Sequence, residues 1–350
     1  MAAPREVEIE ANGLTFETLV AGPESGETVI LLHGYPQSAG SWSDTMEWLA
    51  GLGYQSIAPN LRGYSPGANP RDASEYRMTD LVADVIGIAD ARGVDRFHLV
   101  GHDWGGALAW SVAGDHPQRL LSLTSISTPH GAAMLEALRS STQSLRSVYM
   151  GFFRIPRVPE AIMQFANYRQ LGLSLRVTGL PSASWKRDSQ QLRRVGMRGP
   201  LNWYRGATKG LRPRKISVPT LYVWGRRDPF LGRKAATLTA KYVTGPYRFE
   251  ELKAGHWIPD NNTADLRRIL GEHLEDFGAP AEPVRRPAAA ATTATATASA
   301  AKPSSAKTEP AKAEPAKAAA KRATAKPPKA AAPKSAAKRA PRKSGSKPPS

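Results

Sequence analysis

The sequence predicts an α/β protein: a doubly wound, mostly parallel sheet with a helical cap domain inserted into it and a disordered C-terminal tail. Three observations carry this expectation. Strand-like apolar runs alternate with helix-like segments up to about residue 278, the pattern of successive βα units. The alternation lapses between Pro129 and about Ile216, a stretch rich in Arg and aromatic residues that reads as an insertion. The apolar run Phe97-His98-Leu99-Val100 leads directly into Gly101-His102-Asp103-Trp104-Gly105-Gly106, a Gly-rich turn that opens a helix. The expected boundaries are 1–129 and 217–278 for the two parts of the core, 130–216 for the cap and 279–350 for the tail.

The elements follow in order. Val7 to Glu10 and Thr15 to Val20 read as a hairpin turned by Asn12-Gly13. Thr28-Val29-Ile30-Leu31-Leu32 is continuously apolar, as a strand buried on both faces requires. A helix is expected near Trp42 to Leu52, a strand at Tyr54 to Ala58 and a helix at Met78 to Ala91. The strand Phe97 to Val100 and its helix come next, then Leu120 to Ile126. After the insertion, Thr220 to Trp224 and Tyr247 to Leu252 read as strands, and Thr263 to Phe277 closes the domain as a helix. In open sheets of this kind ligands bind at the carboxyl ends of the strands, so the insertion should roof that edge.

Composition separates the tail from the rest. The chain of 350 residues carries a formal charge of +18, and 16 Lys and Arg against 3 Glu fall at or beyond Ala279, so +13 of that belongs to the tail. The tail consists largely of Ala, Lys, Pro, Ser and Thr, which bury too little apolar surface to offset the entropy of ordering. Its composition resembles the basic tails of histone H1 and of mycobacterial histone-like proteins. It therefore reads either as a solubilising segment or as a sequence-independent grip on nucleic acid. Cysteine is absent, which excludes a catalytic thiol, Cys-ligated metal and disulfides. With no membrane-length apolar run and no signal-peptide core at the start, a cytoplasmic protein is the expectation.

Four pieces of chemistry occur in order along the core. His33-Gly34-Tyr35-Pro36 follows a strand, where the loop supplies one oxyanion-hole amide, that of Tyr35. Asp103 stands at the elbow in place of a serine, and the amide of Trp104 is the second donor. Asp228 leaves the strand Thr220 to Trp224, and His256 follows the next strand. Each piece alone has a plain reading: Asp103 as a helix cap, Asp228 as a turn former, His256 as a structural histidine. Together their order and strand context point to a carboxylate nucleophile served by a histidine–acid pair.

These residues resemble the α/β-hydrolase fold, and within it the epoxide hydrolases, over residues 14 to 277. The matching segments are His33-Gly34-Tyr35-Pro36, Arg62-Gly63-Tyr64, Gly101 to Gly106, Asn202-Trp203-Tyr204-Arg205, Asp228 and Gly255-His256. Arg62-Gly63-Tyr64 is assigned loop shaping and no chemistry. The resemblance implies two tyrosines that hydrogen-bond the epoxide oxygen: Tyr204 in the Asn202–Arg205 segment and Tyr149 in Tyr149-Met150-Gly151-Phe152-Phe153. It also sets Trp104, Phe153 and Trp203 against the substrate. Tyr35 departs from the apolar Phe common at that place, and the same tyrosines and tryptophans would also serve as packing residues.

The implied reaction converts an epoxide to a vicinal diol through an alkyl ester on Asp103, hydrolysed by water that His256 and Asp228 activate, with no metal or organic cofactor. The rivals are a haloalkane or haloacid dehalogenase using the same carboxylate and a nucleic-acid-tethered protein acting through its tail. An esterase is disfavoured because no Ser occupies the elbow. The arginines of the insertion, Arg154, Arg157, Arg169 and Arg176, fit anionic or lipid-like substrates or a solvated face.

Overall fold

The computed structural model describes residues 3–208 and 213–278. The expectation of a disordered, nucleic-acid-binding tail falls on residues 279–350, outside the described residues.

Two antiparallel strands, β1 (Arg5–Ala11) and β2 (Leu14–Ala21), open the chain. They turn through Asn12 and Gly13, both at positive φ, as a two-residue hairpin requires. Then come β3 (Thr28–Leu32), α1 (Ser43–Gly51), β4 (Gln55–Pro59), α2 (Met78–Ala91), β5 (Phe97–His102), α3 (Trp104–Asp115) and β6 (Leu120–Ile126). The sheet is completed by β7 (Thr220–Gly225), α10 (Arg233–Leu238), β8 (Tyr247–Leu252), α11 (Ile258–Asn261) and α12 (Thr263–Asp276), where α10 is numbered after the inserted helices given below. Its eight strands run in the order β1-β2-β4-β3-β5-β6-β7-β8, and all neighbours from β4 to β8 are parallel.

Every residue of β3, β4, β5, β6 and β7 is buried, which explains the continuous apolar run of β3. Successive β3 side chains enter different cores, as the two-residue strand period dictates. Ile30 and Leu32 join Val85, Ile88 and Leu108 of α2 and α3 on one face. Val29 and Leu31 join Met46 and Leu49 of α1 and Leu266 and Leu270 of α12 on the other. Burying each such side chain contributes about 1.5–3 kcal/mol.

Among the described residues six helices separate β6 from β7: α4 (Gly131–Ser140), α5 (Gln143–Arg146), α6 (Val148–Phe153), α7 (Val158–Val177), α8 (Ser182–Val195) and α9 (Arg198–Asn202). A wide π-helical turn, Trp203–Ala207, follows α9. The run α7 is broken: Phe165 is extended and Ala166, Asn167 and Tyr168 have positive φ, leaving one short helix on either side.

Candidate active site

The site grows from the end of β5. Asp103 lies between the strand and α3 with φ 52° and ψ −120°, a strained conformation for a residue with a side chain. Its neighbours hold it there. The Asp103 amide donates to the Ile126 carbonyl at 3.3 Å, and its own carbonyl accepts from Thr128 Oγ1 at 2.7 Å. The sharp turn also demands close backbone approach. A Cβ on Gly105 would lie 2.2 Å from the Leu32 carbonyl oxygen, and one on Gly34 would lie 2.3 Å from Asp103 Cβ. Glycine is the only residue that fits either place.

The loop after β3 reaches this elbow. The Tyr35 amide donates to Asp103 Oδ1 at 2.7 Å. His33 is fully buried, and burial lowers its pKa to about 4 against the pull of the Gly34 carbonyl, so it stays neutral. With its proton on Nδ1, facing the Gly34 carbonyl at 3.0 Å, its Nε2 accepts from the Leu61 amide at 3.1 Å and ties the loop to the end of β4. The Trp104 amide is the first of α3 and has no acceptor within its own helix.

Asp228 and His256 come from the ends of β7 and β8. Asp228 Oδ1 accepts from the amides of Phe230 and Leu231 at 2.8 and 3.0 Å, which leaves Oδ2 to accept from His256 Nδ1 at 2.8 Å. The other ring nitrogen, Nε2, lies 3.5 Å from Asp103 Oδ2. Burial disfavours the charged imidazole, but the charge of Asp228 and hydrogen bonds to both carboxylates outweigh it and raise its pKa to about 10. Burial likewise disfavours the Asp103 carboxylate. The hydrogen bond and charge of His256 and the Tyr35 amide offset it and hold the acid below its ordinary range, so Asp103 is ionised near neutrality.

Tyr149 stands on α6 and Tyr204 on the π-helical turn, a local widening often found at functional positions. The Tyr204 ring packs at 4.8 to 5.3 Å, centroid to centroid, from Phe153, Trp104 and Tyr35, and at 6.2 Å from Tyr149. Burial and then the nearby carboxylates, or for Tyr204 the other phenol and Asp103, push both hydroxyls well above 10. Both phenols therefore remain protonated donors. Two apolar cavities, of about 190 and 270 Å³, share Asp103, Tyr149 and Tyr204 in their walls. Trp104 lines the first, and Tyr35, Phe153 and His256 line the second.

Trp203, expected against the substrate, lines neither cavity: its indole N–H donates to the Arg62 carbonyl at 2.8 Å and the ring is fully buried. It shapes the turn that carries Tyr204. Sequence reasoning missed a second layer under His256. His102 is held neutral by burial, with its pKa lowered to about 4, and its Nε2 lies 3.0 Å from the His256 carbonyl. Its Nδ1 meets Gln37 Oε1 at 3.1 Å, and Gln37 Nε2 donates to Asp260 Oδ2 at 2.9 Å. Arg187 of α8 donates to Asp260 Oδ1 at 3.2 Å and pairs with Asp188, which also accepts from Ser38 Oγ at 2.8 Å. A helix of the insertion is thereby tied to the loop that carries the histidine. The larger cavity also owes its walls to Met163, Leu171, Leu175 and Phe230, apolar residues that no motif marks.

A family profile described as "alpha/beta hydrolase fold" matches residues 27–263. The AB hydrolase superfamily protein YfhM of Bacillus subtilis is 32% identical, over 77% of this chain and 97% of the relative. Epoxide hydrolase A of Mycobacterium tuberculosis is 30% identical, over 78% of this chain and 98% of its own length. Among solved structures, epoxide hydrolase A from Mycobacterium thermoresistibile superposes with a TM-score of 0.68 at 25% identity, covering 78% of this chain and 98% of that one. Matched by its profile and by full-length relatives, and built on the sheet described above, the chain belongs to the alpha/beta hydrolase fold family, with epoxide hydrolases among its relatives.

Proposed function

We propose that the chain is an epoxide hydrolase in which Asp103 is the nucleophile and His256, oriented by Asp228, is the base. The observation that carries this reading is the meeting of an ionised Asp103 with two protonated phenols, Tyr149 and Tyr204, in the walls of the same apolar cavities. A carboxylate attacks carbon and an acid catches the developing alkoxide, which is what ring opening needs. The relatives named as epoxide hydrolases support the same reading.

In the first step Asp103 Oδ2 forms a bond to an epoxide carbon as that carbon's bond to oxygen breaks. Tyr149 or Tyr204 gives its proton to the leaving oxygen, and the product is a 2-hydroxyalkyl ester. In the second, His256 takes a proton from water, and the resulting hydroxide adds to the carboxyl carbon. The tetrahedral oxyanion forms on Oδ1, beside the Tyr35 amide, with the Trp104 amide as second donor. Collapse expels the diol oxygen, which takes the proton back from His256, and leaves Asp103 as the carboxylic acid; its proton passes through solvent to the tyrosinate, which restores both the carboxylate and the phenol.

Esterification removes the Asp103 charge, one of the groups that raise the pKa of His256. The imidazole thus becomes easier to deprotonate when it must act as a base. The decisive experiment is intact mass on His256→Gln incubated with an epoxide panel and, separately, with a haloalkane and haloacid panel. The expected result is gain of one whole epoxide, mapped to Asp103. Gain of an alkyl group from a halide instead, or no adduct with any compound, would overturn the proposal.

A further inference from the structure

Among the described residues, exposed large apolar side chains are concentrated in one segment of the chain. Ten large apolar side chains are exposed among the described residues, and six of them, Ile155, Val158, Ile162, Phe165, Leu173 and Val177, fall in one segment of the insertion. Phe165 is 67% exposed and Val177 89% exposed. Soluble surfaces seldom gather apolar side chains this way without a partner.

The unpaired charges among them have one sign. Arg154, Arg157, Arg169 and Arg176 are exposed, and none of their guanidinium groups has an ion-pair or hydrogen-bond partner among the described residues. Between residues 141 and 187 the sequence contains a single acid, Glu160. Its carboxylate is already engaged by the Arg205 guanidinium at 2.6 and 3.0 Å.

Periodicity puts these side chains on the outer side. Val158, Ile162 and Phe165 recur at helical spacing before the break in α7, and Arg169, Leu173 and Arg176 do so after it. Met163, Leu171 and Leu175 face the other way and line the larger cavity. The non-helical turn from Phe165 to Tyr168 presents the phenyl ring at the break between the two pieces. No helix among the described residues is long and apolar enough to cross a membrane. The pattern matches instead a surface that lies in the interface plane, with apolar side chains at the headgroup boundary and cations at lipid phosphates.

We propose that the outer face of Arg154–Val177 docks on an anionic lipid bilayer, with Phe165 entering the interface and the four arginines meeting lipid phosphates. The complementarity is specific in sign, because the face offers four free cations and no free carboxylate. Docking sets the wall of the larger cavity against the bilayer, since Met163, Leu171 and Leu175 are the inner side of the same segment.

The chain contains no cysteine, so a single introduced one labels a single site. Full-length Phe165→Cys carrying a polarity-sensitive fluorophore is titrated with vesicles of phosphatidylcholine alone and with about one-fifth phosphatidylglycerol. Leu52→Cys, 51% exposed at the carboxyl end of α1 and remote from the insertion, is the control site. The expected result is a blue shift at position 165 with quenching by doxyl-labelled lipid, stronger on anionic vesicles, and neither signal at position 52. Arg154→Gln with Arg157→Gln in the labelled protein should weaken that partitioning about 10- to 30-fold. If the protein sediments with anionic vesicles while the label at 165 stays in water, the basic residues beyond 279 bind alone and the proposal fails. It fails equally if no vesicle is bound. A blue shift that needs no vesicles and grows with protein concentration would assign the face to a second copy of the chain.

Discussion

The backbone amide of Tyr35 donates to Oδ1 of Asp103 at 2.7 Å, and this contact makes the two oxygens of the carboxylate inequivalent. Oδ1 is committed to an amide donor, whereas Oδ2 faces His256 and the cavities. In the proposed reaction Oδ2 becomes the ester oxygen and Oδ1 the carbonyl oxygen. A single turnover in ¹⁸O-water should therefore place label in the peptide containing Asp103 and leave the first-formed diol unlabelled. Label in that diol, read by mass spectrometry, would mean direct attack of water on the epoxide.

Histidine protonation sets the pH response. The folded pKa of His256 is raised to about 10 from 6.5, so its contribution to stability is complete below about pH 6.5 and is lost as pH rises toward 10. Chemical denaturation across pH 6–10 should show that decline in the parent protein and a flatter profile in His256→Gln. Asp103→Asn removes one of the charges responsible, so the His256 pKa followed by NMR should fall below its parental value. In single turnovers, ester hydrolysis should accelerate with pH as the imidazole deprotonates, while ester formation, which needs ionised Asp103 and phenols that stay protonated over this range, should not.

The phenols should act on one step only. Tyr149→Phe and Tyr204→Phe should each slow ester formation about 10- to 100-fold, and the double substitution about 10²- to 10⁴-fold, the range of general acid catalysis. The rate of ester hydrolysis should hardly change in any of the three, as measured by decay of the adduct mass after substrate is removed. Equal slowing of both steps would assign these side chains to packing.

Arg187 tests the link between the insertion and the histidine loop. Its guanidinium pairs with Asp188 and Asp260, both of whose side chains are almost fully buried. Arg187→Ala leaves those acids without their cation and should cost about 1–3 kcal/mol, less than a wholly buried pair because the arginine itself is partly exposed. Through Asp260, Gln37 and His102 it should also loosen the His256 carbonyl. Ester should then accumulate during turnover, and Arg187→Lys should reduce that accumulation. Loss of stability without accumulation of ester would leave Arg187 a purely structural residue.

Much of this molecule is written in local sequence. The fully buried strand β3 is a continuous apolar run, and the Asn12-Gly13 turn, the elbow glycines and the strand ends carrying Asp103, Asp228 and His256 are all short-range signals. Parallel strands deliver their ends to one edge, so strand order alone brings such residues near each other. The rest depends on long-range packing. Gln37 and Asp260 stand 223 residues apart, and nothing near Arg187 or Asp188 marks them as partners of the loop that carries His256. Tyr204 and Trp203 are adjacent in sequence, yet the π-helical turn directs one ring into the cavities and the other to the Arg62 carbonyl. Periodicity and turn chemistry thus determined the sheet and the edge where the chemistry gathers. Only the packing of the inserted helices on that edge decided which aromatic rings reach Asp103, because side-chain direction there follows from contacts made across the whole chain.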